Sequence, residues 1–128
     1  MITVVAALIE KDNKYLIAKR STGETNVLGK WEFPGGKVQE NESEYEAIER
    51  EIQEEFELII KAETFIINNI CEYPNKTVDL RLYRCKYMNG NFKLHDHSEY
   101  SWVDKQELLN YDLAKADIPL AKYIQENL

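Results

Sequence analysis

Cysteine is scarce in this chain: Cys71 and Cys85 are the only two in 128 residues. They fall in separate expected strands and form neither a CxxC pair nor a zinc-type spacing. A disulfide framework and a cysteine-built metal site are therefore excluded, and two buried or half-buried thiols in a reducing compartment are expected. Long apolar runs are also missing, since no stretch approaches the roughly 18 residues of a membrane span. The apolar start, Met1 to Ile9, has no basic flank and runs into Glu10-Lys11-Asp12. It reads as a strand and not as a signal peptide, so no membrane partner and a cytoplasmic location are expected. Basic excess is absent too: 16 Lys and Arg face 23 Asp and Glu, a net charge of −7. That weighs against binding a DNA or RNA strand, which needs a basic face to displace phosphate counterions. Internal repeats and low-complexity linkers are lacking, which predicts one domain over residues 1–128.

What is present is ordinary globular composition, 44% hydrophobic and 30% charged. Ile2 to Ile9 and Tyr15 to Ala18 predict a hairpin around Lys11-Asp12-Asn13-Lys14. Ser21 to Lys30 predicts a loop. Trp31-Glu32-Phe33 is a short alternating piece, and Pro34-Gly35-Gly36 after it is expected to interrupt regular structure in a sharp turn. Ala62 to Cys71 and Thr77 to Tyr87 predict two strands joined by a turn at Tyr73-Pro74-Asn75-Lys76. Asn89-Gly90 predicts a further turn. Tyr100 to Val103 predicts a strand, Lys105 to Leu109 a short helix, and Ile118 to Asn127 a closing helix. Strands and helices mix without strict alternation, so the expected class is α/β (α+β) with a mixed sheet.

The acidity is concentrated. Between Glu40 and Glu57 stand nine carboxylates and one basic residue, Arg50, so these 18 residues carry −8 and the rest of the chain +1. Ser43 with Glu46 three residues later is a capping box that starts a helix. Tyr45, Ile48, Ile52 and Phe56 give that helix one apolar stripe. At 100° per residue, Glu51, Glu54 and Glu55 share an arc of about 100° at the edge of the stripe. Like charges at this spacing destabilise an isolated helix by roughly 0.2–0.5 kcal/mol per pair. The charge pattern alone leaves two readings open. One is a solvated acidic face; the other is a seat for a hard divalent cation, which favours clustered oxygen ligands.

Further residues bear on that choice. Gly36, five residues, Glu42, seven residues, then Arg50-Glu51-Ile52-Gln53-Glu54-Glu55 resembles the box of the Nudix hydrolases. Trp31-Glu32-Phe33-Pro34-Gly35-Gly36-Lys37 resembles the MutT-type branch. Ala116-Asp117-Ile118-Pro119 resembles the same branch and the bacterial CTP pyrophosphohydrolases. The likeness runs from about residue 3 to residue 125. It implies a mixed β-sheet sandwiched between helices, with a loop–helix–loop catalytic box. It favours the cation reading, with Mg²⁺ as cofactor and Mn²⁺ as a substitute. One position departs from the pattern. Glu57 stands where the family has a glycine suited to a left-handed helix end, and a Glu there costs on the order of 1–2 kcal/mol. The helix is therefore expected to continue or to end differently.

The resemblance also implies roles. Glu51, Glu54 and Glu55 would be the main metal ligands, with the Gly35 carbonyl and Asp96 as further ones. Arg50 and Glu42 would pair to hold the loop. Glu51 or Asp96 would accept the proton of the attacking water, with Glu99 the competitor for the Asp96 role. His95 and His97 flank Asp96 and read as solvated surface histidines. Lys37, Arg20 and Lys19 are candidate phosphate contacts. Asp117 matches the position that reads the nucleobase and is also a candidate N-cap for the last helix. If ionised it only accepts hydrogen bonds, which favours a donor-rich base edge such as cytosine or oxidised guanine. Phe33 and Tyr73 are candidates for stacking on the base, with core packing the competing role for Phe33, and Lys76 lies in the matching loop. The implied activity is hydrolysis of a nucleoside triphosphate to monophosphate and diphosphate. The alternatives are another nucleoside diphosphate derivative, such as a diphosphate sugar, and a catalytically silent Nudix-like binding module. A monomer and a homodimer both remain open.

Overall fold

The computed structural model describes all 128 residues. Its strands are β1 (Ile2–Lys11), β2 (Lys14–Arg20), β3 (Trp31–Glu32), β4 (Gly35–Lys37), β5 (Leu58–Tyr73), β6 (Lys76–Gly90) and β7 (His97–Val103). Its helices are α1 (Glu44–Phe56) and α2 (Ile118–Asn127), with 3₁₀ turns at Lys105–Asn110 and Lys115–Asp117. β1 is the axis of the sheet. It runs parallel to β6 and antiparallel to β4 and, at its far end, to β2. β5 and β6 form a long antiparallel hairpin, and β7 adds to β2. Asp12 and Asn13 both have positive φ, 52° and 64°, the geometry that joins tight hairpins without splaying the strands.

Val5 to Ile9 is buried without interruption because both faces of β1 are covered. Val5, Ala7 and Ile9 pack with Ile48, Ile52 and Phe56 of α1, while Ala6 and Leu8 pack with Leu120, Ala121 and Ile124 of α2. The expected α/β (α+β) class, a mixed sheet between helices, is what forms. Cys71 and Cys85 are both free and buried. No helix is long and apolar enough to cross a membrane.

Three expectations are corrected. Gly35 to Lys37 does not interrupt the sheet but pairs with Ala6 to Val4 as β4. A Cβ at Gly35 would lie 1.9 Å from the Val5 carbonyl oxygen, so only glycine lets this strand come so close. Asn89-Gly90 is no free turn: it closes the ladder against Leu58 and Ile59, since β5 begins directly after α1. Glu57 does end the helix in the left-handed region, at φ 54° and ψ 35°. Two bonds oppose the strain: its N–H donates to the Gln53 carbonyl at 3.0 Å and its carboxylate accepts from His95 Nε2 at 2.7 Å.

Candidate active site

The capping box forms as expected. Ser43 Oγ accepts the Glu46 N–H at 3.1 Å, and Glu46 Oε1 accepts the Ser43 N–H at 2.9 Å. About two turns on from Ser43, Arg50 fastens the incoming loop to α1. Its Nε and Nη2 donate to the two Glu42 oxygens at 2.6 and 2.9 Å, and Nη2 also donates to the Lys37 carbonyl at 3.1 Å. The Glu42 carboxyl is pulled down to about 2, first by that Arg50 bond and then by the Gln39 N–H. Arg50 Nη1 reaches on to Glu51 at 2.9 Å and to Glu54 at 3.3 Å. The paired Glu42 and Arg50 of the sequence reading are thus in contact.

The three box carboxylates share one edge of α1 but differ in setting. Glu54 is exposed and held only by Arg50. The Glu51 carboxylate fits against Gly36, where a Cβ would lie 2.3 Å from its Cδ. Glu55 is buried, and its Oε2 has no hydrogen-bond partner. Burial first, then the charges of Glu51 and Glu32, push its carboxyl up to about 8. No three Asp, Glu, His or Cys side chains stand close enough together to hold an ion as they are. The Arg50 guanidinium, bonded to both Glu51 and Glu54, keeps those two tied together instead.

The Glu55 shift has a sign that can be tested. Its folded value lies above the ordinary carboxylate value of 4.5, so the folded state holds the proton more tightly. The stability tied to that proton is fully present below the ordinary value and is lost as pH rises toward the folded one. Without added metal, wild type should lose stability between about pH 5 and about pH 8 relative to Glu55→Gln, by a few kcal/mol. Denaturant unfolding with chelator at both pH values reads this difference. Parallel pH dependences for the two proteins would remove the assignment.

All six expected substrate residues, Arg20, Phe33, Lys37, Tyr73, Lys76 and Asp117, line one cleft of ≈ 280 Å³ beside the Gly35–Gly36 backbone. Val4, Val78 and Leu80 form its apolar floor. Phe33 is buried, so it serves core and floor together. Lys76 donates to Glu24 at 2.6 Å and sits 5.8 Å from the Tyr73 ring centre. Burial, chiefly, pushes the Tyr73 hydroxyl up to about 12. Lys19 pairs instead with Glu99 on the surface at 3.6 Å and does not line the cleft.

Asp117 corrects one expectation. Its side chain makes no capping bond to α2; its Oδ2 accepts the Phe33 N–H at 2.9 Å. Burial, with Glu32 next, raises its carboxyl well above the usual range and so disfavours its charged form. His97 is corrected as well. It is buried, stacks on Phe56 at 4.8 Å between ring centres, and its Nε2 lies 2.8 Å from Glu32 Oε2. His95 is exposed, as expected. The Asp96 carboxylate accepts from Thr22 Oγ1 at 3.4 Å and lies near enough to Glu55 to raise its carboxyl. Glu32, part of the stretch that resembles the MutT-type branch, was assigned no role from the sequence. It lines the cleft and its Oε2 also accepts from Arg20 Nη1 at 3.2 Å. The one available signal was an acidic residue between Trp31 and Phe33, in a stretch otherwise apolar.

Comparison with known proteins bears on the same residues. The family pattern described as NUDIX domain matches residues 1–125. The chain is 37% identical to the CTP pyrophosphohydrolase of Escherichia coli (strain K12) over 94% of its length and 88% of that protein. The solution structure of the E. coli ORF135 protein superposes with a TM-score of 0.85 at 36% identity, covering 95% of this chain and 86% of that one. The crystal structure of the MutT protein from Methanosarcina mazei Go1 gives a TM-score of 0.87 at 29% identity, covering 98% and 93%.

Proposed function

The chain belongs to the NUDIX domain family, and from that membership we propose that it is a Mg²⁺-dependent nucleoside triphosphate pyrophosphohydrolase. As a Nudix hydrolase it is an enzyme acting on nucleotide diphosphate bonds. The observation that carries the finer reading is the juxtaposition of an acidic helix edge with a cleft that has basic side chains at its sides and an apolar floor. Two features of the chain fit a divalent cation there. Glu55 keeps an unpartnered, buried Oε2, and Gly36 leaves room that a Cβ would fill beside the Glu51 carboxylate. Glu51, Glu54 and Glu55 would hold the ion, with the Gly35 carbonyl and Asp96 as further ligands, and Mn²⁺ would substitute for Mg²⁺. When bound, such an ion neutralises phosphate charge and lowers the pKa of a coordinated water.

The chain's own groups do the rest. Arg20 and Lys37 donate to phosphate oxygens and hold the anhydride in line. Glu51 or Asp96 accepts the proton of the attacking water. The water oxygen bonds to one phosphorus of the anhydride, the bridging P–O bond to that phosphorus breaks, and the departing phosphate group takes the bond's electron pair, giving monophosphate and diphosphate. Phe33 and Tyr73 face the base, and Asp117 offers it a carboxyl oxygen that accepts hydrogen bonds. An acceptor there suits the amino donor of cytosine as well as the N–H groups of oxidised guanine. Cytidine triphosphates come first, since the CTP pyrophosphohydrolase is 37% identical. The test is a screen for Mg²⁺-dependent diphosphate release over common, methylated and oxidised nucleoside triphosphates. Turnover of a cytidine or an oxidised guanine nucleotide is expected. Release from none of them would sink the proposal and favour a diphosphate-sugar substrate or a silent binding module.

A further inference from the structure

Three strands bring three side chains together at the mouth of the cleft. β2 lies between β3 and β7, and its last residue, Arg20, pairs with His97 of β7. The register shifts between Lys19 and Arg20, the kind of bulge that re-aims a side chain. Arg20 thereby turns toward Glu32 of β3, and Nη1 donates to Glu32 Oε2 at 3.2 Å. The same oxygen accepts from Nε2 of the buried His97 at 2.8 Å. Arg20 Nε donates to the Thr22 carbonyl at 2.9 Å, and Gly23 packs so close that a Cβ would lie 3.4 Å from Nη2. The guanidinium is held by two hydrogen bonds, while Nη2 donates to no protein group.

Glu32 is an odd choice for a cleft meant for phosphate. Its carboxylate repels the ligand, and its charge also raises the Glu55 carboxyl nearby. An anionic side chain lining an anion site needs a reason, and its two bonds supply one. We infer that Glu32 is a positioning residue: braced from behind by His97, it locks the Arg20 guanidinium in the orientation that meets a triphosphate. A free arginine would lose its rotamer freedom on binding, whereas a clamped one has lost it already on folding. The inference rests on the nucleotide-hydrolase reading above.

The test separates positioning from bystander charge by sign. Wild type, Glu32→Gln, Arg20→Ala and the double variant are titrated with inorganic triphosphate in chelator-treated buffer by calorimetry. A bystander carboxylate would tighten anion binding when removed. A positioning carboxylate weakens it, by about tenfold, the scale of one charge-assisted hydrogen bond. In the Arg20→Ala background, Glu32→Gln should cause no further weakening, because the two act as one unit. In steady-state hydrolysis the loss should fall on KM more than on kcat. Should Glu32→Gln fail to fold in a circular-dichroism melt, Glu32→Asp carries the test. It keeps the charge, is too short to reach both partners, and should weaken binding similarly. Tighter or unchanged binding, or weakening that persists without Arg20, overturns the inference while leaving hydrolysis by wild type intact. Failure of wild type both to bind triphosphate and to hydrolyse any nucleotide overturns the functional reading as well.

Discussion

Glu54→Gln is expected to lower Mg²⁺-dependent turnover by about 10³-fold while leaving the folded protein as stable as before, or slightly more so. The two halves follow from one setting. Glu54 is 57% exposed, and its single partner is Arg50 Nη1 at 3.3 Å. Arg50 stays fixed without it, through Glu42 at 2.6 Å and Glu51 at 2.9 Å. Removing one of several like charges on the same helix edge relieves repulsion of roughly 0.2–0.5 kcal/mol per pair. Nothing in the fold therefore needs the Glu54 charge, and only the proposed metal seat does. Gln has nearly the same shape, so packing is preserved and a lost ligand is the only large change. A structural role would give the reverse, a lower melting temperature with turnover intact. The measurement is diphosphate release across a Mg²⁺ titration, paired with thermal unfolding in chelator. Turnover near wild type at every Mg²⁺ concentration would dismiss Glu54 as a ligand.

What the chain announces locally, the structure keeps. The start of α1 is legible because Ser43 and Glu46 are three residues apart and the cap is a local bond. The Glu42–Arg50 pair is legible as part of a pattern, and both residues sit within one loop–helix unit. The last helix is legible from Leu120 and Ile124, both fully buried on one face. What was not legible depends on partners distant in sequence. Gly35 reads as a breaker until β1 lies beside it, and then a missing Cβ becomes a condition of pairing. His97 reads as solvated because its neighbours are polar; its burial comes from Phe56 and Glu32, each dozens of residues away. Asp117 carries no sign of its electrostatic state in the sequence, and only enclosure in the cleft disfavours its charged form. A left-handed end at Glu57 was not legible because one of the bonds that accompany it, to His95, spans 38 residues. Motif residues thus carry their chemistry in the sequence, and their electrostatic state only in the fold.

Gly35 and Gly36 put that distinction to a single experiment, because adjacent alanines should fail in different ways. At Gly35 the added Cβ meets Val5 O at 1.9 Å, Val5 C at 2.8 Å and Ala6 Cα at 2.9 Å, all backbone. β1 cannot retreat, since Val5 and Ala6 are paired on the other side with Arg81 and Leu82 of β6. Gly35→Ala must therefore break β4 from β1 or distort the central strand, at a cost of about 3 kcal/mol in denaturant unfolding. At Gly36 the three atoms nearest the added Cβ all belong to Glu51, with Cδ at 2.3 Å and the two oxygens at 2.4 and 2.7 Å. A flexible carboxylate can swing away, so Gly36→Ala should cost under about 1 kcal/mol of stability. The swing is the damage: Glu51 must leave its place by about 1 Å, a misplacement on the scale that costs about 10²-fold in rate. Stability and turnover of the two variants, measured side by side, should diverge accordingly. Wild-type turnover in Gly36→Ala would take Glu51 out of the reaction, and wild-type stability in Gly35→Ala would mean that β4 is not held against β1 by the missing Cβ.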